Sequence, residues 1–349
     1  MKNFPLVSVI IVSHNGIDFV EVCLDSVFKS AYPNKEIIFV DNASTDGSKE
    51  LVKKKYSGRK NFKIIENSGS FGPAAGRNIG AAAAKGKYLA FLDNDTKVSR
   101  FWLNELIKVL EKDKTIGSAQ SKLLRMMPGR YYDCAGDYLG PLGFLIERSQ
   151  RVKDEGQWDY IAEIFSAKSA ASIIKTKIFN KIGGFDEKHY MYLEETDLSW
   201  RVWLAGYRVV FIPKSVVYHA FNTPKKDFKR YYEKNFVRYH GARNYIFTLI
   251  KNLEFKNLVK ILPLHLGCWF VLAFSFILKG NFTDGFNILK GIGWNLLNLK
   301  LLINRRCWIN TEIRKVSDKE IFNKVMKRRE LSFYLERGLT YLRIKSFWS

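Results

Sequence analysis

The first hundred residues alternate short apolar runs with stretches of helical spacing. Val7–Val12, Glu36–Val40, Phe62–Glu66 and Tyr88–Leu92 predict buried strands, and Phe19–Ser30, Ser48–Tyr56 and Ala74–Lys85 predict the helices between them. Strands that alternate with helices in this way belong to a doubly wound, mostly parallel α/β sheet, covered on both faces and therefore apolar along its strands. Ser44-Thr45-Asp46-Gly47 supplies capping residues ahead of Ser48, and Pro73 suits a first helical turn. In such sheets ligands bind beyond the carboxyl ends of the strands, so the polar residues that follow each strand are the first to inspect.

Further on the pattern weakens. Residues 101–112 predict a helix, whereas 115–165 are rich in Gly, Tyr and Asp and predict no defined element. Ser166–Ile174 reads as a strand, Lys177–Ile182 as a short helix, Gly183-Gly184-Phe185-Asp186 as a turn and Leu193–Ala205 as a helix. Val209–Phe211 and Val216–Tyr218 read as two short strands that close the compact part near residue 222.

Beyond residue 225 the chain becomes basic helices interrupted by apolar runs. Ile261–Leu278 carries no formal charge and stands at the lower length limit for a membrane span. Phe286–Ile303 contains Lys290, Lys300 and three Asn, which predicts an amphipathic surface helix, and residues 318–348 repeat that theme. Lys251, Lys256 and Lys260 precede the 261–278 run, and Lys279, Arg305 and Arg306 follow it. A crossing helix biases its positive charge to one side, so this symmetry predicts a monotopic or re-entrant attachment.

Composition narrows the class. The 349 residues are 47% hydrophobic and 26% charged, too apolar for a disordered chain and too charged for a polytopic membrane protein. The formal charge of +23 implies an anionic partner, and its distribution shows where. Residues 1–220 hold 32 Lys and Arg against 25 Asp and Glu, while residues 221–349 hold 25 against 9. The excess therefore lies with the C-terminal apolar segments, as an anionic membrane surface requires. Cys23, Cys134, Cys268 and Cys307 are too far apart for a zinc spacing or a dense disulfide framework, which favours a reducing compartment.

Tyr88-Leu89-Ala90-Phe91-Leu92-Asp93-Asn94-Asp95 is an apolar strand ending in two carboxylates one residue apart. Hard oxygens at that position suit Mg²⁺ or Mn²⁺ on a diphosphate. Asp41, after the second strand, and Ser13-His14-Asn15, after the first, add short polar groups at the same rim, where a base and ribose can be read by hydrogen bonds. Asp46 is read instead as a turn and cap residue.

Taken together, Val7–Asn15, Cys23-Leu24-Asp25-Ser26-Val27, Tyr32–Ile38, Asp41–Gly47 and Asp93-Asn94-Asp95-Thr96 resemble family 2 glycosyltransferases of the GT-A fold. Gly183–Glu187, Glu194-Glu195-Thr196-Asp197-Leu198-Ser199-Trp200-Arg201 and Val216-Val217-Tyr218-His219 resemble the acceptor half of that family, and Arg238–Tyr245 with Lys251-Asn252 resembles the segment that follows in its rhamnosyltransferase-like branch. The resemblance implies a catalytic domain over 1–222, with nucleotide-sugar binding in 1–104 and the acceptor half in 105–222, and a membrane-associating region over 223–349. It implies Asp41 at the nucleobase, Ser13 and Asn15 beside the nucleoside, Arg77 and Glu194 among the substrate contacts, and Asp95 with His219 as metal ligands. Asp93 falls to the ion, its water shell or the ribose. The carboxylate that activates the acceptor falls to Glu195, where the family often has Glu-Asp in place of Glu194-Glu195; Asp197 and Arg201 are spaced as a supporting ion pair. The implied partners are a UDP- or dTDP-sugar and a lipid-linked or growing glycan at the cytoplasmic face of the membrane, without nucleic acid.

Two other classes account for less of the sequence. Nucleic-acid binding accounts for the +23 but leaves the acidic strand ends unexplained, since they repel phosphate unless a cation intervenes. A sugar-phosphate nucleotidyltransferase requires a Gly-rich, basic loop that is missing after Val12.

Overall fold

The computed structural model describes residues 4–149, 152–220 and 234–330. It divides into two compact units, residues 1–137 with 147–221 and residues 138–146 with 222–349.

The first unit begins with strands β1 (Val7–Ser13), β2 (Lys35–Asp41), β3 (Phe62–Glu66) and β4 (Tyr88–Asp93), joined through helices α1 (Val20–Phe28), α2 (Ser48–Tyr56) and α3 (Gly72–Ala82). β1 runs parallel to both β2 and β4, and β2 parallel to β3. α3 lies close on β1 because Gly76 and Gly80 face it: a Cβ at either would come within 2.7 Å of Val12 or 2.5 Å of Ile10. Asp46, rather than the residue next to the helix, caps α2, with Oδ1 accepting from the Ser48 amide at 3.0 Å.

β5 (Thr96–Val98), α4 (Trp102–Lys112), β6 (Ile116–Arg125), β7 (Tyr132–Cys134), β8 (Asp137–Leu139), β9 (Leu145–Glu147), β10 (Ala162–Glu163), β11 (Ala171–Lys175), α5 (Thr176–Lys181), α6 (Glu194–Leu204) and β12 (Arg208–His219) follow. The main sheet orders β10-β12-β6-β11-β4-β1-β2-β3, and β11 enters it antiparallel to both β4 and β6. A parallel half thus continues into a mixed half, and the apolar core runs under both from Val9 and Ile11 to Ile173 and Ile212.

Three expectations are corrected here. The 115–165 stretch contains the ten-residue strand β6. The strand expected from Ser166 starts at Ala171. The two short strands near 209 and 216 are one strand, β12, whose register shift between Ile212 and Val216 absorbs Pro213.

The second unit is helical: α7 (Lys234–Asn252), α8 (Phe255–Leu278), α9 (Phe282–Leu297), α10 (Leu299–Trp308), a π turn at Ile309–Ile313 and α11 (Asp318–Val325). The amphipathic helix expected over 286–303 is therefore two helices, broken at Asn298, and residues 331–348 of the last basic stretch lie outside the described residues. Ala242 and Ile246 of α7, Trp269, Ala273 and Phe276 of α8, and Ile288 and Ile292 of α9 form its core. Basic residues are drawn inside. Arg243 is buried with its guanidinium 3.9 Å from the Trp294 ring centroid, and Lys251, expected as a flanking surface cation, is buried over Phe247.

Candidate active site

Parallel register brings the candidate residues to one edge. Ser13 pairs with Asp41 and Val12 with Asp93, so β1, β2 and β4 end side by side. Asn15 takes a left-handed φ of 51° and laces the next loop to the rim, its Oδ1 accepting from the Thr45 amide at 2.8 Å and its own amide donating to Ser44 Oγ at 3.0 Å. Ser13 Oγ accepts from Asn94 Nδ2 at 2.9 Å. Asp41 is buried; its Oδ2 accepts from the Ser44 amide at 3.1 Å, and its Oδ1 has no hydrogen-bond partner. A buried carboxylate oxygen left bare is costly unless a ligand donor reaches it.

Asp93, Asp95 and His219 place one ligand atom each within 4.8 Å of one another. The strand pairing of His219 with Thr96 carries the imidazole across more than a hundred residues of sequence to this position. Its Nε2 lies 3.2 Å from Asp95 Oδ1 and its Nδ1 2.8 Å from Asp133 Oδ2. Burial pulls the His219 pKa down, but Asp95 and Asp133 outweigh it and raise it well above the usual histidine value. Two carboxylates and an imidazole oriented through its other nitrogen form a donor set that fits Mn²⁺ or Mg²⁺.

Arg77, buried on α3, joins this cluster to the next. One terminal nitrogen donates to Asp93 Oδ1 at 2.8 Å and the other to Glu194 Oε1 at 2.7 Å. Burial works against its charge, yet Asp93 and Glu194 raise its pKa. Glu194 and Glu195 open α6 after Tyr190, Tyr192 and Leu193, which hold left-handed φ values of 61°, 66° and 65°. Each such residue costs on the order of 1–3 kcal/mol, and here the strained stretch sets the direction in which the carboxylate pair enters the rim. Burial, then the neighbouring Glu195, push the Glu194 carboxyl above the usual range, against the pull of Arg77. Glu195 is the more open of the two; its Oε1 lies 3.9 Å from Lys168 Nζ, and its Oε2 is buried without a hydrogen-bond partner.

The Asp197–Arg201 pair forms at 2.8 Å, and Arg201 also donates to the carbonyls of Ile182 and Gly184. Asp186, His189 and Asp197 also lie within 4.8 Å of one another, but Asp197 is committed to Arg201 there. Sequence reading missed Asp133, Asp137 and Lys168. Asp133 and Asp137 fall in the stretch without periodicity, and Lys168 stands alone among small residues, so no local signal marks any of them.

An acidic, metal-type donor set and a carboxylate pair thus stand at the carboxyl ends of a mostly parallel sheet, where α/β folds of this kind bind their ligands. Residues 8–151 match the family model described as glycosyl transferase family 2. It is 32% identical over 123 residues to an uncharacterized glycosyltransferase of Haemophilus influenzae, a match covering 35% of this chain and 38% of that protein. Among solved structures, S. aureus TarS 1-349 in complex with UDP-GlcNAc aligns with a TM-score of 0.58 at 18% identity, over 91% of this chain and 92% of that one. A mannosyltransferase from Pyrobaculum calidifontis, in complex with GDP-Man and Mn²⁺, aligns with a TM-score of 0.53 at 16% identity, over 99% and 89%. These two likenesses establish the fold.

Proposed function

We propose that the chain is an inverting, metal-dependent glycosyltransferase that moves a sugar from a nucleotide-diphosphate sugar, a UDP- or dTDP-sugar, to a hydroxyl of a lipid-linked or growing glycan. The observation that carries this reading is the Asp93, Asp95 and His219 cluster standing one arginine away from the Glu194–Glu195 pair. Residues 1–104 serve the donor, 105–222 the acceptor and 223–349 the membrane. Neighbours of the same fold crystallised with UDP-GlcNAc or with GDP-Man and Mn²⁺ support the donor class and the ion.

In this reading the bare Asp41 Oδ1 accepts from the nucleobase, and Ser13 and Asn15 line the nucleoside. Asp95, His219 and Asp93 hold Mg²⁺ or Mn²⁺, which when bound neutralises charge on the departing diphosphate. Arg77 fixes Asp93 and Glu194 relative to each other, and Glu195 is the general base. Glu195 Oε2 takes the acceptor proton as the acceptor oxygen bonds to the anomeric carbon. The bond from that carbon to the diphosphate breaks, and its electron pair leaves with the nucleotide. Attack opposite the leaving group inverts the anomeric centre.

The helical unit supports a peripheral, monotopic place on the cytoplasmic membrane surface. Among the described residues, α8 alone is long and apolar enough to cross a membrane. One of its sides is nevertheless buried in the unit's core, while Leu264, Phe270, Val271, Phe274 and Leu278 are exposed, bounded by exposed Lys256, Lys260 and Lys279. A face so built suits the boundary between anionic headgroups and acyl chains.

The test is a panel of nucleotide sugars incubated with the full chain and Mn²⁺ or Mg²⁺, scored by calorimetric binding and by slow donor hydrolysis. One nucleotide sugar should bind only when the divalent ion is present. Binding of none, or binding unchanged by chelator, overturns the reading.

A further inference from the structure

Lys168 does not appear in any motif, yet it is among the most deliberately placed cations in the α/β unit. Its backbone amide donates to Gln120 Oε1 at 2.8 Å. The two residues before it are stitched to α6, Ser166 Oγ to Thr196 Oγ1 at 3.0 Å and the Ala167 amide to Ser199 Oγ at 3.1 Å. The side chain then lies between two carboxylates, with Nζ 3.0 Å from Asp137 Oδ2 and 3.9 Å from Glu195 Oε1. Asp137 is fully buried, and Lys168 is its ion-pair partner. A carboxylate sequestered in this way is unfavourable unless it holds a cation in place.

We propose that Lys168 is a positioning residue for Glu195: tethered by Asp137, its ammonium holds Oε1 and so presents Oε2, as a carboxylate, to the acceptor hydroxyl. This rests on the glycosyltransferase reading with Glu195 as base. The geometry divides the labour between two cations. Arg77 is committed to Glu194 and Asp93, which leaves Lys168 as the cation facing Glu195. The other charged groups near Lys168 and Glu195 are the acidic Glu194, Asp137 and Glu147, together with Arg77, whose guanidinium is already bonded to Glu194 and Asp93. Lys168 thereby offsets the acidic neighbours of the carboxylate that must accept the acceptor's proton.

The two partners have opposite effects, which a purely structural role would not produce. Lys168→Gln removes the cation beside Glu195 and should move its titration upward by about one pH unit or more, whereas Asp137→Asn removes a nearby anion and should move it downward. Lys168→Arg keeps the charge and should stay close to the parent. The readout is the ¹³C carboxyl signal of Glu195 in the full chain, assigned by its loss in Glu195→Gln and followed across pH. Circular dichroism and UDP binding with Mn²⁺ show that each variant is folded. Hydrolysis of UDP-GlcNAc, or of whichever nucleotide sugar in the panel reacts, is measured across the same range, and its acid limb should follow the titration. A Glu195 midpoint shared by the parent, Lys168→Gln and Asp137→Asn overturns the proposal; should Lys168→Gln not fold, an unmoved midpoint in Asp137→Asn does so alone. Titrations that shift while the acid limb stays fixed overturn the assignment of Glu195 as the base instead.

Discussion

Arg77→Met tests whether the site is held together as described. The guanidinium is 5% exposed and spans Glu194, also 5% exposed, and Asp93, 33% exposed. Removing one partner of a buried ion pair costs about 3–5 kcal/mol, because the remaining charge has lost both water and its counter-ion. The Asp93 arm adds little, since that carboxylate is open to solvent. Urea unfolding above the folded Glu194 pKa of about 8, where that carboxyl is ionised, should therefore show a loss of about 3–5 kcal/mol. Adding Glu194→Gln should restore at least ~2 kcal/mol, a coupling that independent sites would not give. The pH dependence has a definite sign. The folded Glu194 carboxyl lies above its ordinary value of 4.5, so the folded chain keeps this proton after the unfolded chain has lost it. Its contribution to stability is complete below 4.5 and is lost as the pH rises through the folded value. Without Arg77, which pulls that value back down, the decline should be steeper, and with Glu194→Gln it should vanish. A single variant within ~1 kcal/mol of the parent, or a double variant that is merely additive, refutes the account.

Asp95→Asn should weaken divalent-dependent UDP binding at least tenfold in calorimetry while leaving the circular dichroism spectrum unchanged; unaltered binding would remove Asp95 from the ion. Glu195→Gln should lower transfer or donor hydrolysis by about 10²–10⁴-fold with UDP affinity within about twofold, and equal losses in both would move Glu195 to donor binding. Val271→Glu with Phe274→Glu, at positions 68% and 54% exposed, should reduce sedimentation with phosphatidylglycerol vesicles by at least tenfold without altering UDP binding. Undiminished sedimentation would show that α8 is not the attachment face.

In the parallel half of the sheet the sequence was readable, although β3, expected to be buried, is an edge strand with partly exposed side chains. β1 to β4 fall within a residue of the expected runs, and since their registers align Ser13, Asp41 and Asp93, that part of the rim was readable too. β6 was not, because Ser118, Gln120, Ser121 and Lys122 look like a loop. They are nevertheless buried, satisfied by Ile173, Cys134, Ser215 and Asp154, partners 14 to 94 residues distant. The same holds for the site's electrostatics: Arg77 meets Glu194 across 117 residues and His219 meets Asp133 across 86. Charge counting failed in a different way. It registered the basic C-terminal excess but not its direction, and Arg238, Arg243 and Lys251 are buried in the helical unit. Arg306 donates to the carbonyls of Ile250 and Leu253, and Arg314 pairs with Asp318. The cations left facing outward along α8 to α10 include Lys256, Lys260, Lys279, Lys290 and Lys300, at roughly 1 kcal/mol each near an anionic leaflet. In the proposed membrane placement, with the basic side chains divided in this way, the exposed apolar side of α8 would supply the part of the attachment that salt does not screen. Vesicle binding should accordingly survive high salt in part, and be abolished by acidic substitutions on that side.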